Sequence, residues 1–339
     1  MRRAGRTRSG SWGVALAVCA LQLGLGVGPP ARAAGLPLAT VAEAPLGAPT
    51  RRFDYASLDP KSGLLFFADL AGSRVLVFDV RQGRVVKAIA GIASVHGVLA
   101  VPDLGRVYAS ATGAHQTVAI DERTLQVVAR SPSGHYPDGI AWDPRERKVY
   151  VSDETGGAVA VIDAATNRLV KIIPMRGEVG NTQYDPASGL IYSNVQTRGV
   201  LVGIDPKMDR IVSEDRIEGC DSNHGLLIDT ARRLAFIACE GNARLVVFSL
   251  ARHSELQTES VGRVPDVLAY DPQLSRLYVA GEGGVLSVFE VGAEKVAKIG
   301  EAFVGDDAHV VAVDPRTHRV FLPLRNLGGK AVLRIMQPK

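Results

Sequence analysis

Residues 140–152, with the sequence IAWDPRERKVYVS, decide the fold of this 339-residue chain. Residues 140–142 and 148–152 are short apolar stretches rich in β-branched and aromatic side chains, which favour strands. Asp143 and Pro144 lie between them. Proline presets the dihedral angle of a turn, and aspartate accepts a hydrogen bond from the backbone two residues on. The segment therefore predicts two antiparallel strands joined by a tight turn.

The same pattern occurs seven times, at successive spacings of 42, 42, 42, 44, 42 and 43 residues. The copies are anchored at Asp59-Pro60, Val101-Pro102, Asp143-Pro144, Asp185-Pro186, Asp229-Thr230, Asp271-Pro272 and Asp314-Pro315. In the copy quoted above, residues 158–162 and 169–173 form a third and a fourth strand. Four short antiparallel strands every ~40 to 45 residues are typical of a propeller blade. The sequence predicts an all-β, seven-bladed β-propeller, as a single domain over residues 34–339.

The last copy contains only three strands, at residues 310–313, 320–322 and 332–335, before the chain ends at Lys339. An apolar stretch at residues 38–44 precedes the first copy and belongs to no blade. We expect this N-terminal stretch to pair as the outermost strand of the seventh blade. Such pairing closes the ring and removes an open sheet edge.

Several second strands carry a tyrosine after one or two apolar residues, namely residues 149–153 (VYVSD), 190–194 (LIYSN) and 277–280 (LYVA). These segments resemble the Tyr-Val-Thr-Asn motif of the YVTN-type β-propeller repeat proteins, over essentially all of residues 50–339. The resemblance implies a secreted or periplasmic repeat protein. It implies no particular activity, because propellers support unrelated chemistries.

Residues 1–33 read as a secretory signal peptide. Basic residues through Arg8 are followed by an apolar run from Trp12 to Val27 and by Ala31-Arg32-Ala33, a small-residue cleavage site. We therefore expect export to the periplasm or secretion. The apolar run is shorter than the roughly 20 residues of a membrane-spanning helix, and no membrane span is expected elsewhere.

The positive charge of the chain belongs to this leader. The five arginines of residues 1–33 have no acidic counterpart, whereas residues 34–339 carry 34 basic and 35 acidic side chains. A nearly neutral domain without a basic stacking surface argues against nucleic acid as a partner.

A fixed position in the repeat defines a ring around the propeller axis, because the copies are related by near-rotational symmetry. The residue five before each anchor begins the predicted inner strand, so these side chains are expected to gather at one mouth of the channel. Six of the seven are Asp or His. The first ring is Asp54, His96, Asp138, Gly180, His224, Asp266 and His309. Next to Gly180, Asn181 is expected to reach inward instead.

A second ring, eleven residues after each anchor, is expected at the same mouth. It reads Leu70, Thr112, Glu154, Gln196, Glu240, Glu282 and, with a one-residue slip, Arg325. Tyr55, Tyr136 and Asn223 flank the first ring. Together the rings predict a polar, largely acidic funnel at one end of the channel.

Two interpretations of the funnel remain open. In the first, Asp and His at strand starts bond the backbone of the next blade and only lock blades together. In the second, Asp54, Tyr55, Asp138, Asn181, Asn223, Asp266, Glu154, Glu240 and Glu282 bind a ligand. His96, His224 and His309 would then be metal ligands, because imidazole nitrogen with carboxylate oxygen suits Zn, Mn, Fe or Cu.

Sequence motifs of several enzyme classes are missing from residues 34–339. There is no Gly-x-Ser-x-Gly, no His-Glu-x-x-His, no Cys-x-x-Cys and no complete phosphate-binding loop. Their absence argues against a serine hydrolase, a helical zinc protease and a nucleotide hydrolase.

Two cysteines follow the leader, Cys220 before the inner strand of the fifth repeat and Cys239 at the end of its second strand. Folding the hairpin brings residue 239 opposite roughly residue 223. In an exported protein this proximity predicts a disulfide. A thiolate metal site with His224 and two free thiols are the alternatives.

The leading functional hypothesis is an exported binding or accessory protein of the cell envelope. Its funnel would receive a small ligand, a divalent metal ion or a protein partner. The alternative is a metal-dependent hydrolase or lactonase with the cation on the axis, where the ion polarises a carbonyl and acidifies a water. Asp138 and Glu240 are then the candidates for the general base. The sequence does not decide whether the protein is an enzyme.

Overall fold

A computed structural model describes residues 35–47 and 50–339 of the chain. The predicted signal peptide at residues 1–33 lies outside these residues. The described chain forms seven separate four-stranded antiparallel sheets, arranged as the blades of a β-propeller. The predicted all-β fold with seven blades is thereby confirmed.

The strands are numbered in chain order, and blade 1 begins with the second strand. The N-terminal strand is β1 (Leu38–Pro45). Blade 1 contains β2 (Ala56–Asp59), β3 (Leu64–Asp69), β4 (Arg74–Asp79) and β5 (Arg84–Ala90). Blade 2 contains β6 (Val95–Val101), β7 (Arg106–Ala111), β8 (Gln116–Asp121) and β9 (Gln126–Pro132). Blade 3 contains β10 (Pro137–Asp143), β11 (Lys148–Asp153), β12 (Ala158–Asp163) and β13 (Arg168–Pro174).

Blade 4 contains β14 (Val179–Asp185), β15 (Leu190–Val195), β16 (Val200–Asp205) and β17 (Arg210–Arg216). Blade 5 contains β18 (Asn223–Asp229), β19 (Leu234–Cys239), β20 (Arg244–Ser249) and β21 (Ser254–Ser260). Blade 6 contains β22 (Pro265–Asp271), β23 (Arg276–Gly281), β24 (Val285–Val291) and β25 (Val296–Phe303). Blade 7 contains β26 (Ala312–Asp314), β27 (Arg319–Leu327) and β28 (Lys330–Pro338). The described helices are three single 3-10 turns, Pro102–Leu104, Thr112–Ala114 and Gln196–Arg198. In the described part of the chain, no helix is long and apolar enough to cross a membrane.

The Asp-Pro turns form as the sequence predicts. Asp143 Oδ1 accepts a hydrogen bond from the backbone N–H of Arg145 at 2.8 Å, and Arg147 closes the turn with φ of 55°. In blade 1, Asp59 accepts bonds from the N–H groups of Lys61 and Ser62 in the same way. The aspartate side chain thus satisfies backbone donors that the tight turn leaves unpaired.

The second-strand tyrosines pack between neighbouring blades. Tyr108, Tyr150, Tyr192 and Tyr278 occupy equivalent positions, and each is at most 1% exposed. Tyr150 of blade 3 packs with Val179 and Ile191 of blade 4, and its hydroxyl donates to Asp209 Oδ1 at 2.7 Å. Burial of a large side chain contributes about 1.5–3 kcal/mol. The tyrosine of the repeated motif therefore holds adjacent blades together.

Strand β1 closes the ring as predicted. It pairs antiparallel with β28, from Leu38 opposite Pro338 to Pro45 opposite Val332, and the sheet order of blade 7 is β1-β28-β27-β26. Arg334 on β28 also donates to Glu43 Oε1 at 2.7 Å. The inner strand begins at residue 312, two residues later than the sequence pattern indicates.

The disulfide between Cys220 and Cys239 is present, with a Cα–Cα distance of 5.2 Å. Asn223 lies opposite Cys239 in the pairing of β18 with β19, which matches the expected register. The bond joins the segment before the inner strand of blade 5 to the end of its second strand. The alternatives of free thiols and of a thiolate metal site are therefore wrong.

Candidate functional site: an acidic funnel on the propeller axis

A cavity of about 660 Å³ opens at the mouth where the inner strands begin. Eight of the nine Asp, Glu and His side chains expected there line it: Asp54, His96, Asp138, Glu154, His224, Glu240, Asp266 and Glu282. We call this cavity the funnel. The ninth side chain, His309, is fully buried beside Asp266. The structure thus gathers the acidic and histidine members of both rings at one end of the channel.

A β-bulge positions the first ring. In five inner strands the ring residue is the second residue of the strand, and the register with the second strand shifts there. A bulge bends the strand and re-aims a side chain. In three of these strands a glycine follows the ring residue and permits close contact with the next blade: a Cβ on Gly97 would lie 2.0 Å from the carbonyl oxygen of Asp138. In four of the five strands the bulge therefore directs an Asp or His side chain to the axis.

Blade 4 departs from the ring because its backbone leaves no space. A Cβ on Gly180 would lie 2.6 Å from the carbonyl oxygen of His224. The neighbouring Asn181 is 7% exposed and reaches the channel, as expected, but it lines a narrower cavity of about 140 Å³ between the inner strands.

His309 has one ring nitrogen held by protein atoms and one that faces the acids. Nδ1 lies 3.0 Å from the carbonyl oxygen of Asp307 and 3.3 Å from its Oδ1. Nε2 has no hydrogen-bond partner among the described residues and lies 3.9 Å from Asp266 Oδ2. A bond from Nδ1–H to an oxygen leaves the Nε2 lone pair free, which is the usual preparation of a metal-ligating histidine.

In His224 the unpaired ring nitrogen is Nδ1, whereas in His309 it is Nε2. The Nε2 of His224 lies 3.2 Å from the hydroxyl of Tyr55 and 3.5 Å from Asp266 Oδ1. Its Nδ1 has no hydrogen-bond partner in the described chain and lies 3.9 Å from Glu240 Oε1. The residue is 7% exposed and lines the funnel.

His96 is fully engaged with neighbouring protein groups. Nδ1 lies 2.8 Å from Thr112 Oγ1 and 2.9 Å from the carbonyl oxygen of Ser94, whereas Nε2 lies 2.9 Å from the hydroxyl of Tyr136. Asp54 Oδ2 is 4.0 Å from the same Nε2. Although it occupies the same repeat position as His224 and His309, His96 therefore has neither ring nitrogen unpaired.

Tyr55 forms the floor of the funnel. It lines both the funnel and the narrower cavity, and its hydroxyl donates to Asp266 Oδ1 at 3.4 Å. The phenol thus extends from blade 1 across the axis towards blades 5 and 6. Burial, with the nearby carboxylates of Asp138 and Asp266, raises the pKa of Tyr55 well above its usual value.

The second ring forms the wall above the first on the side of blades 3, 5 and 6. Glu154, Glu240 and Glu282 follow the second strands of these blades and line the funnel. Gln196 lies beside Glu154, with its Nε2 3.4 Å from Glu154 Oε1, and Arg325 pairs with Asp307 at 3.4 Å. These two side chains do not contribute to the lining.

Asn223 does not reach the funnel. It is completely buried, and its side-chain amide donates to Asn194 Oδ1 at 3.0 Å and to the carbonyl oxygen of Val200 at 2.9 Å. Its position one residue before the bulge directs it between blades 4 and 5. The structure therefore places Asn223 with the contacts that join blades, not with the residues that surround the cavity.

Five lining residues escaped the sequence analysis, and three of them, Arg52, His115 and His135, carry a basic or imidazole side chain. Arg52 donates to Glu282 Oε1 at 2.7 Å and lies 3.7 Å from Asp54 Oδ2. His115 and His135 stack at the lip, with ring centroids 5.4 Å apart. None of the three occupies a ring position of the repeat. His135 could have been found from its place directly before Tyr136, which the sequence analysis did identify.

The comparisons with known proteins show the fold alone. A chain in the structure of Kuenenia stuttgartiensis hydrazine synthase has a TM-score of 0.72 and 16% identity, with 87% of this chain and 97% of that chain covered. A chain in the structure of U3-55K has a TM-score of 0.74 and 10% identity, covering 87% and 98%. No protein-family model and no curated protein matches the sequence.

Buried charges compete for protons in the funnel. Burial by itself lowers the pKa of His224, but the carboxylates of Asp266, Glu240 and Asp138 outweigh it and raise the pKa to about 9. The pKa of His309 is likewise lowered by burial, then raised by Asp307 and Asp266 to about 9. Both imidazoles therefore favour the protonated form at neutral pH.

Desolvation also raises the pKa values of several carboxyl groups in the funnel. Burial raises the pKa of Asp54 and, more strongly, that of Asp138, although His309 and His224 respectively act in the opposite direction. Burial also raises the pKa of Glu240 to about 7. The cluster of acids and imidazoles thus holds several protons in common near neutral pH, and a cation that enters would displace them.

Two sets of side chains have ligand atoms that all lie within 4.8 Å of one another. One set is Asp54, Asp266 and His309, from blades 1, 6 and 7. The other is His224, Glu240 and Asp266, from blades 5 and 6. Each combines one imidazole with two carboxylates, a donor set that suits a divalent transition metal.

Proposed function

We propose that this protein is an exported binding protein whose funnel holds a divalent metal ion. The observation that carries the proposal is the pair of buried imidazole nitrogens, Nδ1 of His224 and Nε2 of His309, which lack hydrogen-bond partners in the described chain and face carboxylates. An unpaired buried polar atom costs about 1–3 kcal/mol. A coordinated metal ion satisfies such a nitrogen, whereas an interaction that only locks blades together leaves it unpaired.

The electrostatics of the funnel support a cationic ligand. Six carboxyl side chains line it, and Arg52 is the single Lys or Arg side chain among the lining residues. A concave site lined by one sign of charge concentrates counter-ions. Small molecules or a protein segment with a cationic group are therefore the partners we propose for the lip, whereas nucleic acid is not.

Export is part of the proposal. The Cys220–Cys239 disulfide supports an oxidising compartment such as the periplasm or the extracellular space, because disulfides rarely persist in the cytosol. The pattern of residues 1–33 supports the same compartment. Membership of the YVTN-type repeat family is proposed on the second-strand tyrosine motif.

A metal-dependent hydrolase or lactonase is the second candidate. The funnel volume of about 660 Å³ supports it, because a metal ion at the floor would leave room for a small substrate above it. With the ion held by Asp54, Asp266 and His309, Glu240 would stay free to act as a general base, and burial raises its pKa to about 7. Asp138, buried behind His224, is the other candidate base.

Isothermal titration of the purified mature protein with Mn²⁺ and Zn²⁺ tests the proposed function. We expect stoichiometric binding that is lost or weakened at least 100-fold in a His224→Gln/His309→Gln double variant. The matched control is His253→Gln/His318→Gln, which also removes two histidines but none that lines the funnel. Its metal affinity should equal that of the wild type.

The outcomes separate the candidates. Binding of neither metal at millimolar concentration, with a normal circular dichroism spectrum, would show that the funnel is structural. Metal binding followed by turnover of lactones or esters that stops on chelation would favour the hydrolase. Metal binding without turnover would favour the binding protein.

A further inference from the structure

Asp266 faces two histidines through its two carboxylate oxygens. Oδ1 lies 3.5 Å from Nε2 of His224 in blade 5, and Oδ2 lies 3.9 Å from Nε2 of His309 in blade 7. Asp266 itself belongs to blade 6, between these two blades, and is 4% exposed. A carboxylate that presents one oxygen to each side can bridge two cations, whereas a single ion would engage one side.

We propose that the floor of the funnel is a dinuclear metal site bridged by Asp266. One ion lies among Asp54, Asp266 and His309, and the other among His224, Glu240 and Asp266. The inference rests on the proposed function, because it assigns the number of ions and their ligands at that same site. Two-metal sites hold their ions roughly 3.5–4 Å apart.

The two ligand sets are equivalent in composition but independent apart from Asp266. Each supplies one histidine and one further carboxylate, from blades 7 and 1 in the first set and from blade 5 alone in the second. Each histidine also has one ring nitrogen without a hydrogen-bond partner in the described chain: Nε2 of His309, on the side of Asp266, and Nδ1 of His224, on the side of Glu240. His224 and His309 share no set of ligand atoms within 4.8 Å, so a single ion would satisfy only one of these nitrogens, and the second unpaired nitrogen is the observation that calls for a second ion.

Charge balance favours two ions over one. The two ligand sets supply three carboxylates, and Asp138 Oδ2 lies 4.0 Å from Nε2 of His224, so up to four negative charges surround the proposed ions. Arg52 offsets little of this charge at the floor, because its guanidinium also pairs with Glu282 at 2.7 Å and with Asp307 at 3.7 Å. Two divalent cations neutralise four carboxylates. They also replace the protons that the two imidazoles would otherwise carry.

Mn²⁺ is the probe for the test, because its paramagnetism reports on the distance between ions. Equilibrium dialysis should give two Mn²⁺ per chain. The six-line electron paramagnetic resonance signal of isolated Mn²⁺ should be replaced by the broad signal of a coupled pair, since ions about 4 Å apart interact magnetically. One Mn²⁺ per chain with a six-line signal would overturn the dinuclear site while the proposed function stands. No bound Mn²⁺ or Zn²⁺ would refute both.

Single substitutions assign the ions. Glu240→Gln and His309→Gln should each reduce the stoichiometry from two to one and restore the six-line signal, because each removes a ligand from one set only. Asp266→Asn should weaken both sites at least 10-fold. Glu154→Gln is the matched control: it removes a funnel carboxylate that belongs to neither set. Circular dichroism establishes that each variant is folded, and retention of two ions by both Glu240→Gln and His309→Gln would contradict the assignment.

Discussion

The hydroxyl of Tyr55 lies 3.2 Å from Nε2 of His224, so that a side chain of blade 1 contacts one of blade 5 across the channel axis. The same hydroxyl donates to Asp266 Oδ1 at 3.4 Å. Tyr55 therefore orients two of the proposed ligands without belonging to either ligand set. Groups that orient metal ligands in this way commonly change metal affinity by 10- to 100-fold when they are removed.

The first prediction follows from this contact. Tyr55→Phe removes only the hydroxyl, so we expect metal affinity to fall by about 10-fold with the stoichiometry unchanged. Calorimetric titration measures both quantities. The control is Tyr184→Phe, because the Tyr184 hydroxyl is buried with no hydrogen-bond partner among described residues. Equal affinities for wild type and Tyr55→Phe would show that Tyr55 does not orient the ligands.

The second prediction concerns the disulfide. Cys220 and Cys239 enclose a loop of 19 residues, for which loop-closure entropy gives about 3 kcal/mol of stabilisation. Chemical denaturation of Cys220→Ala/Cys239→Ala should show a loss of this size, and reduction of the wild type should reproduce it without a change of side chain. Thiol titration of the unreduced, denatured mature protein should find no free thiol. Two free thiols would contradict the bond.

The third prediction concerns Glu122, at the end of the propeller opposite the funnel. Ser62 of blade 1 donates to Glu122 Oε1 at 3.0 Å. Burial raises the pKa of Glu122 to about 7, and so does a hydrogen bond that the protonated Glu122 carboxyl donates to the Asp59 carboxylate. A raised carboxyl pKa means that the folded state binds the proton more tightly. This contribution to stability is complete below about pH 4 and is lost as the pH rises through 7.

Glu122→Gln keeps a hydrogen-bond donor for Asp59 at every pH. We expect the variant to be more stable than the wild type at pH 8 and equally stable at pH 4. The difference at pH 8 should be at most about 3 kcal/mol, because solvent screening reduces it below the value that the pKa shift alone implies. Denaturation at both pH values measures the difference. The exposed Glu290→Gln should show no such pH dependence, and a constant difference between Glu122→Gln and wild type would refute the shared proton.

The fourth prediction concerns ring closure by β1. Deleting residues 34–46 removes the buried Leu38 and Leu46, each worth about 1.5–3 kcal/mol, and exposes the edge of β28. We expect a melting temperature lower by at least 5 °C, since stability changes of this size shift the midpoint by several degrees (roughly 2–4 °C per kcal/mol). Val41→Thr, at a residue that is 48% exposed on the same strand, should change stability by less than about 0.5 kcal/mol. An unchanged melting temperature for the deletion would mean that β1 does not stabilise the ring.

Residues at the same position in each repeat were sufficient to predict where most of the side chains that line the funnel gather. Asp138 and Asp266 occupy the same repeat position, and the bulge at each inner strand directs them to the same mouth. The prediction was less successful for side chains just outside that position. Asn223, one residue before His224, lies on the other side of the strand because successive side chains alternate in direction.

The fold of this protein is determined by its sequence, because seven repeats with the same pattern of strands and turns, five of them with an Asp-Pro turn, can each fill only one blade and close into a ring. The repeat also determines that Asp54, His224, Asp266 and His309 share one mouth of the channel. Only the tertiary structure decides which atoms meet: Tyr55 reaches across the axis, His96 is paired with Tyr136 and His309 is not paired at Nε2. Periodicity specifies a position along each strand, whereas the contacts across the axis depend on how seven blades pack around it.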